Sequence, residues 1–290
     1  MPPPLAIGAI AVTILAWALA FPLIRLGLVA LPPLPLAAVR FVIAAIPALA
    51  WLAWHRPPLP SRLDTVRLAL CGLAGIALYN GFLNSGEMTV GAGAASFIIN
   101  TVPMITALLA LLFLGEGLNA AGWLGSAVSF GGIGLIAASQ RGGLSFGAGT
   151  SQILAAATCQ AAYFLLQRPL VPRYGALTCT AYTLLAGTIL LAPWLPEAAR
   201  HLAATPPDPT SLAAIVALGL VPAALGYAAW TVALGHFGAV RSANFLFLVS
   251  PVANALAFLL TGETPSPLTV AGGALAICGV IIVTSRGRTG

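Results

Sequence analysis

Apolar runs long enough to cross a lipid bilayer follow one another almost without pause, separated only by proline, glycine and isolated charges. A span of the hydrocarbon core takes about 20 apolar residues and a short connection about 5 to 10 more, so the chain has room for roughly ten helices. Charged residues make up 6% of the 290, against about 25% in an ordinary soluble domain, too few to cover a water-facing surface of normal character. Backbone groups in lipid must satisfy their hydrogen bonds internally, so the expected fold class is an all-α polytopic membrane protein. A single membrane domain, residues 1–290, accounts for the whole chain.

Reading the runs between their punctuation predicts spans at 5–29, 34–54, 66–85, 92–114, 119–138, 147–168, 175–195, 212–234, 240–261 and 266–284. The longest connection, 196–211, contains Pro206, Pro207, Asp208 and Pro209 and is expected to be an exposed loop. The first run continues past Ala20 with no positive segment before it, so it is read as a helix rather than a secretory leader. Cys71, Cys159, Cys179 and Cys278 lie inside apolar runs without paired spacing and are expected to be buried small side chains. His55, His201 and His236 are scattered among connections, so neither a metal site nor a cofactor is expected.

The net charge is +6, but the arginines form no dense basic stripe, which argues against a nucleic-acid partner. They read as orientation signals. With the N-terminus inside, the inner connections hold Arg56, Arg62, Arg67, Arg168, Arg173, Arg241, Arg286 and Arg288, while the outer ones hold Arg141, Arg200 and the end-lying Arg25. Both termini are therefore expected on the cytoplasmic face. Arg40, about six residues into the second span, is expected to snorkel to the interface rather than bind.

Displacing the chain by about 147 residues lays one half over the other. Ala95, Phe97 and Pro103 fall on Ala243, Phe245 and Pro251; Gly115-Glu116, Gly125 and Gly132 then fall on Gly262-Glu263, Gly272 and Gly279. This implies two five-helix repeats, 1–139 and 140–290. Five is odd, so the second copy enters the membrane from the opposite side, and ten transmembrane helices form two inverted repeats around a central cavity. Pro103 and Pro251 sit at corresponding mid-span positions, where the missing N–H should kink each helix. Pro22 and Pro222 are further gating or kink candidates.

Ten spans, a repeat of five, "PMITALLALLFLGE" at 103–116 answered by "PVANALAFLLTGE" at 251–263, and the small-residue run "GGIGLIAAS" after the first copy resemble the EamA-type transporters of the drug/metabolite transporter superfamily. Within that superfamily the chain is most similar to the YddG-type exporters of aromatic amino acids. The resemblance implies a bacterial inner-membrane exporter whose cavity is bounded by helices 1, 3, 4, 6, 8 and 9, with 5 and 10 as scaffold. Small residues in helices 5 and 10 suit that scaffold role.

In those cavity helices the polar and aromatic groups are candidate substrate contacts: Trp17, Tyr79, Asn80, Asn84, Ser96, Asn100, Gln160, Tyr163, Tyr227, Trp230, Asn244 and Asn254. Pairs such as Asn80 and Asn84, or Tyr227 and Trp230, share a helix face. Interhelical hydrogen bonding is the competing role for each amide. All six acidic residues lie outside the spans or at their ends, leaving no midplane carboxylate for an organic cation or a proton. The expected partner is thus a small zwitterionic or neutral solute, within membrane lipid, carried by a monomer through exchange without direct proton coupling. Another metabolite or drug, such as a nucleotide sugar or an organic cation, and a passive channel are the alternatives. An intramembrane enzyme would need buried catalytic groups that are not visible.

Overall fold

The computed structural model describes residues 4–90, 92–115, 117–139, 149–261 and 266–286, excepting the side chains of 92–94, 96 and 257–261. The Ser96 side chain, Glu116, Arg141, Gly262, Glu263 and Arg288 therefore lie outside the described residues. Among those described, nine helices are long and apolar enough to cross a membrane: α1 (Pro4–Ala30), α2 (Pro33–His55), α3 (Arg62–Gly86), α4 (Phe97–Leu114), α5 (Ala120–Ser139), α7 (Ala176–Ala204), α8 (Pro209–Phe237), α9 (Ala239–Leu256) and α10 (Pro267–Arg286). Between α5 and α7 runs α6 (Thr150–Gln167), made less apolar by Gln152, Gln160 and Gln167.

Two expectations need correction. The exposed loop expected at 196–211 narrows to 205–208, because Leu195–Ala204 is helical and continues α7. Its alanines favour helix. Asp208 then caps α8, accepting from the amides of Thr210 and Ser211 at 2.9 and 3.1 Å. Among the cysteines, Cys71 and Cys179 are buried, but Cys159 is only half-buried and Cys278 is exposed on the outside of the helix bundle.

Helices α5 and α10 meet along a stripe of glycines. A Cβ at Gly125 would lie 2.7 Å from the Gly279 carbonyl oxygen, and one at Gly132 would lie 2.5 Å from that of Gly272. Residue numbers rise along α5 as they fall along α10, so the pair is antiparallel. The Ser129 hydroxyl donates to the Ala276 carbonyl at 3.0 Å, across a separation of 147 residues. Under the repeat shift Gly125 corresponds to Gly272 and Gly132 to Gly279, so each glycine faces the counterpart of the other. An isologous contact of this kind is what a two-fold axis through the seam produces.

Irregularities collect at the middle of the bundle. The helical pattern of α1 is interrupted at Leu19, three residues before Pro22; Asn100 and Thr101 break the helix before Pro103; and Leu246–Leu248 tightens to a 3₁₀ turn before Pro251. In each case the proline lacks the N–H that would have bonded one turn back. Pro222 lies within a π-helical stretch of α8, Gly219–Gly226. A second π-helical stretch, Leu73–Leu78 in α3, falls on it under the same shift without any proline.

Candidate functional site

Where these interruptions converge, the bundle encloses a cavity of about 60 Å³. Its polar and aromatic lining comes from Trp17 on α1, Arg40 on α2, Tyr79 and Asn80 on α3, Asn100 on α4, Gln160 on α6 and Tyr227 on α8. Apolar side chains, among them Phe21, Ile24, Leu83 and Val249, complete the wall. Of the twelve sequence-predicted contacts, Trp17, Tyr79, Asn80, Asn100, Gln160 and Tyr227 come together here, and Pro222 joins them.

The π-helical stretches explain how the rings are held. A π turn displaces carbonyls from the regular ladder, and these need other donors. The Tyr227 hydroxyl donates to the Gly75 carbonyl in the α3 stretch, while Trp17 Nε1 donates to the Pro222 carbonyl in the α8 stretch at 3.2 Å. Asn80 Nδ2 reaches back to the Ile76 carbonyl at 2.8 Å. Gly226 lets the indole lie close on α8, since a Cβ there would stand 2.7 Å from Trp17 Nε1. Trp17 meets Tyr227 edge-on at 5.7 Å between ring centroids, within the range of favourable aromatic pairs.

The remaining predicted contacts lie behind the wall or elsewhere. Trp230 and Tyr163 are fully buried: Trp230 packs 5.4 Å from Trp17 and 4.0 Å from Phe164, and the Tyr163 ring sits against Gly75. Asn84 donates to the Pro33 carbonyl at 3.0 Å, tying α3 to the start of α2. Asn244 accepts from the Ser126 hydroxyl at 2.8 Å, tying α9 to α5. Asn254 bonds its own helix at Ser250. Asn100 both lines the cavity and donates to the Ser250 hydroxyl at 3.0 Å, joining α4 to α9.

Arg40 departs from expectation. Rather than snorkelling, it is 3% exposed and lines the cavity, and its Nε and Nη1 have no hydrogen-bond partner. The first turns of α2 face protein, with Leu36, Ala37, Ala38 and Phe41 all buried, so the guanidinium has no path to the interface. One sequence signal pointed to it: a cation two turns into a helix apolar on every side is buried by default, and an ionisable group inside a membrane is a site candidate by default. Glu87, immediately beyond α3, is also buried, and neither of its carboxylate oxygens has a hydrogen-bond partner. Burial pushes its carboxyl up to about 8 against the opposing pull of Arg25 and Arg40.

One end of the bundle is latched. The Asp64 carboxylate accepts from Arg173 at 3.1 Å, from the Tyr174 hydroxyl at 2.8 Å and from the Ser61 hydroxyl at 3.0 Å. This joins the start of α3 to the short helix Val171–Tyr174 after α6. Among the described residues no cluster of three or more histidine, cysteine, aspartate or glutamate side chains could hold a metal ion.

Comparison with known proteins places this arrangement among relatives. The EamA-like transporter family matches twice, at residues 4–138 and 147–285. A "Probable terminal-alkyne amino-acid exporter" of Streptantibioticus cattleyicolor is 38% identical over 97% of this chain and 94% of its own length. A "Probable amino-acid metabolite efflux pump" of Salmonella typhimurium is 28% identical over 93% of this chain and 91% of its own. A protein of known crystal structure, 20% identical, has a TM-score of 0.77 over 98% of this chain and 99% of its own, and shares the fold.

Proposed function

The chain belongs to the EamA-like transporter family, and from that premise we propose that it exports amino acids with aromatic or other apolar side chains across the bacterial inner membrane by alternating access. It is a multi-pass membrane transporter and not an enzyme. The observation that carries the substrate reading is the cavity lining: four aromatic rings and three amides surround one cation, and no acidic residue is among the described lining groups. Rings receive an apolar side chain and amides a zwitterion's polar end. A lone arginine is poorly suited to an organic cation and falls short of the basic cluster a diphosphate would want.

The halves 1–139 and 140–290 are inverted repeats of five helices, a reading supported by the isologous antiparallel seam of α5 and α10 and by the matched π-helical stretches. An apolar cavity of about 150 Å³ holds benzene, so this smaller one, about 60 Å³, is read as a contracted state that widens to admit cargo. The interruptions at Leu19, Asn100–Thr101 and Leu246–Leu248, with Pro22, Pro103, Pro222 and Pro251, are where α1, α4, α8 and α9 bend as it does. Arginine placement puts both termini in the cytoplasm, and the Asp64 latch then closes the inner end. The working unit is a monomer without a nucleic-acid partner.

Without an acid among the described residues that line the cavity, substrate exchange drives transport rather than obligatory proton movement. Proteoliposomes preloaded with unlabelled phenylalanine are expected to take up labelled phenylalanine by counterflow, at the same rate with and without a pH gradient. Uptake that occurs only with the gradient, with one proton moved per substrate, would contradict the exchange reading; absence of uptake would contradict amino-acid export.

A further inference from the structure

We propose that Arg40 is the carboxylate receptor of the cavity, its guanidinium taking the α-carboxylate of the transported amino acid and so restricting cargo to solutes that carry a carboxylate. This rests on the export reading above and specifies its chemistry.

A guanidinium taken out of water without a paired anion is among the most costly groups a protein can bury. Arg40 is in that condition: 3% exposed, facing the cavity, with Nε and Nη1 lacking any hydrogen-bond partner. A planar guanidinium binds a carboxylate through two parallel hydrogen bonds along either of two edges, Nε with Nη2 or Nη1 with Nη2, and each of these edges carries one of the two unpartnered nitrogens. The stem is fixed in place, since Leu36, Ala37 and Ala44 around it are fully buried and the guanidinium carbon stands 5.2 Å from the Phe41 ring centroid. Glu87 makes no hydrogen bond to it.

The rest of the cavity is arranged to suit the same ligand. Gln160, which also lines it, has an amide oxygen without a hydrogen-bond partner, an acceptor suited to an ammonium group. Trp17, Tyr79 and Tyr227 offer rings to the side chain. An amino acid places its three recognition elements on three kinds of group, of which only Arg40 carries a charge.

The test compares L-phenylalanine with L-phenylalaninamide, which keeps the ring and the ammonium but has no carboxylate, by equilibrium binding to purified protein at pH 6.5. The intact protein is expected to bind phenylalanine about 30-fold more tightly than the amide, in the range of charge-assisted hydrogen bonds. Arg40→Met is expected to lower phenylalanine affinity about 30-fold and leave amide affinity unchanged, and Arg40→Lys to recover part of the loss. Equal losses for both ligands would assign Arg40 a merely structural role and overturn the proposal, as would undiminished phenylalanine binding by folded Arg40→Met. If that variant does not fold, equal affinity of the intact protein for the two ligands overturns the proposal by itself. Intact protein that binds neither ligand removes the export reading, a result distinct from either of these.

Discussion

Gly132→Leu is expected to abolish recovery of folded protein, whereas Gly131→Leu, one residue earlier in the same helix, is expected to leave yield and thermal stability unchanged. A Cβ at Gly132 would lie 2.5 Å from the Gly272 carbonyl oxygen and 2.7 Å from the Ala276 amide nitrogen, while one at Gly131 meets nothing within 4 Å. Backbone atoms on a packed helix cannot rotate aside as a side-chain tip can. Overpacking in soluble cores typically costs about 1 to 3 kcal/mol, and here the cost falls on a seam with no hydrophobic force to hold it once the backbones part. In lipid, helix pairs associate through close van der Waals packing of small residues. Size-exclusion profiles of the two variants in detergent provide the measurement. A monodisperse Gly132→Leu protein with ordinary stability would mean that α5 and α10 do not meet along this face.

The second large effect concerns Trp17. Trp17→Ala is expected to lower phenylalanine transport about 100-fold while reducing alanine transport only a few-fold, with Trp17→Phe restoring most of the loss. The indole lines the cavity, is held by its hydrogen bond to Pro222 and packs edge-on against Tyr227. Burying an apolar side chain such as that of phenylalanine against this half-buried ring is worth up to about 3 kcal/mol. Because this ring faces the cavity, much of the loss should appear in the affinity for a substrate ring that stacks on it. The informative quantity is the ratio of phenylalanine to alanine rates, because a folding defect lowers both alike. A ratio unchanged by Trp17→Ala would remove the ring from the site.

The helices were legible in the sequence because lipid enforces a single solution to the backbone's hydrogen bonds, and the length of an apolar run then locates each helix to within a few residues. The 34–54 run against Pro33–His55 is typical. The end of α7 was obscured by its polar character, since Glu197 and Arg200 look like a loop although the alanines around them form a helix. Periodicity placed the amides on shared helix faces but carried no information on depth. Asn80 and Asn84 project from one side of α3, yet one turn of rise separates the cavity wall from the contact with Pro33. The burial of Arg40 is hidden for a related reason, because distance from a helix end says nothing of what surrounds that end. The π-helical stretch of α3 has no proline to announce it, and nothing in the sequence marks the Gly75 carbonyl as the acceptor of the Tyr227 hydroxyl.

The central claim, a cavity that opens by turns to either compartment with an amino acid inside it, is tested most directly by side-specific labelling. With Cys71, Cys159, Cys179 and Cys278 replaced by alanine, single cysteines at the lining positions Leu83 and Val249 are exposed to membrane-impermeant maleimide in right-side-out and inside-out vesicles. Both positions should react from either side, never from both sides in one conformationally locked population, and phenylalanine should slow the reaction. Labelling confined to one side, or labelling that phenylalanine leaves untouched, would contradict the account.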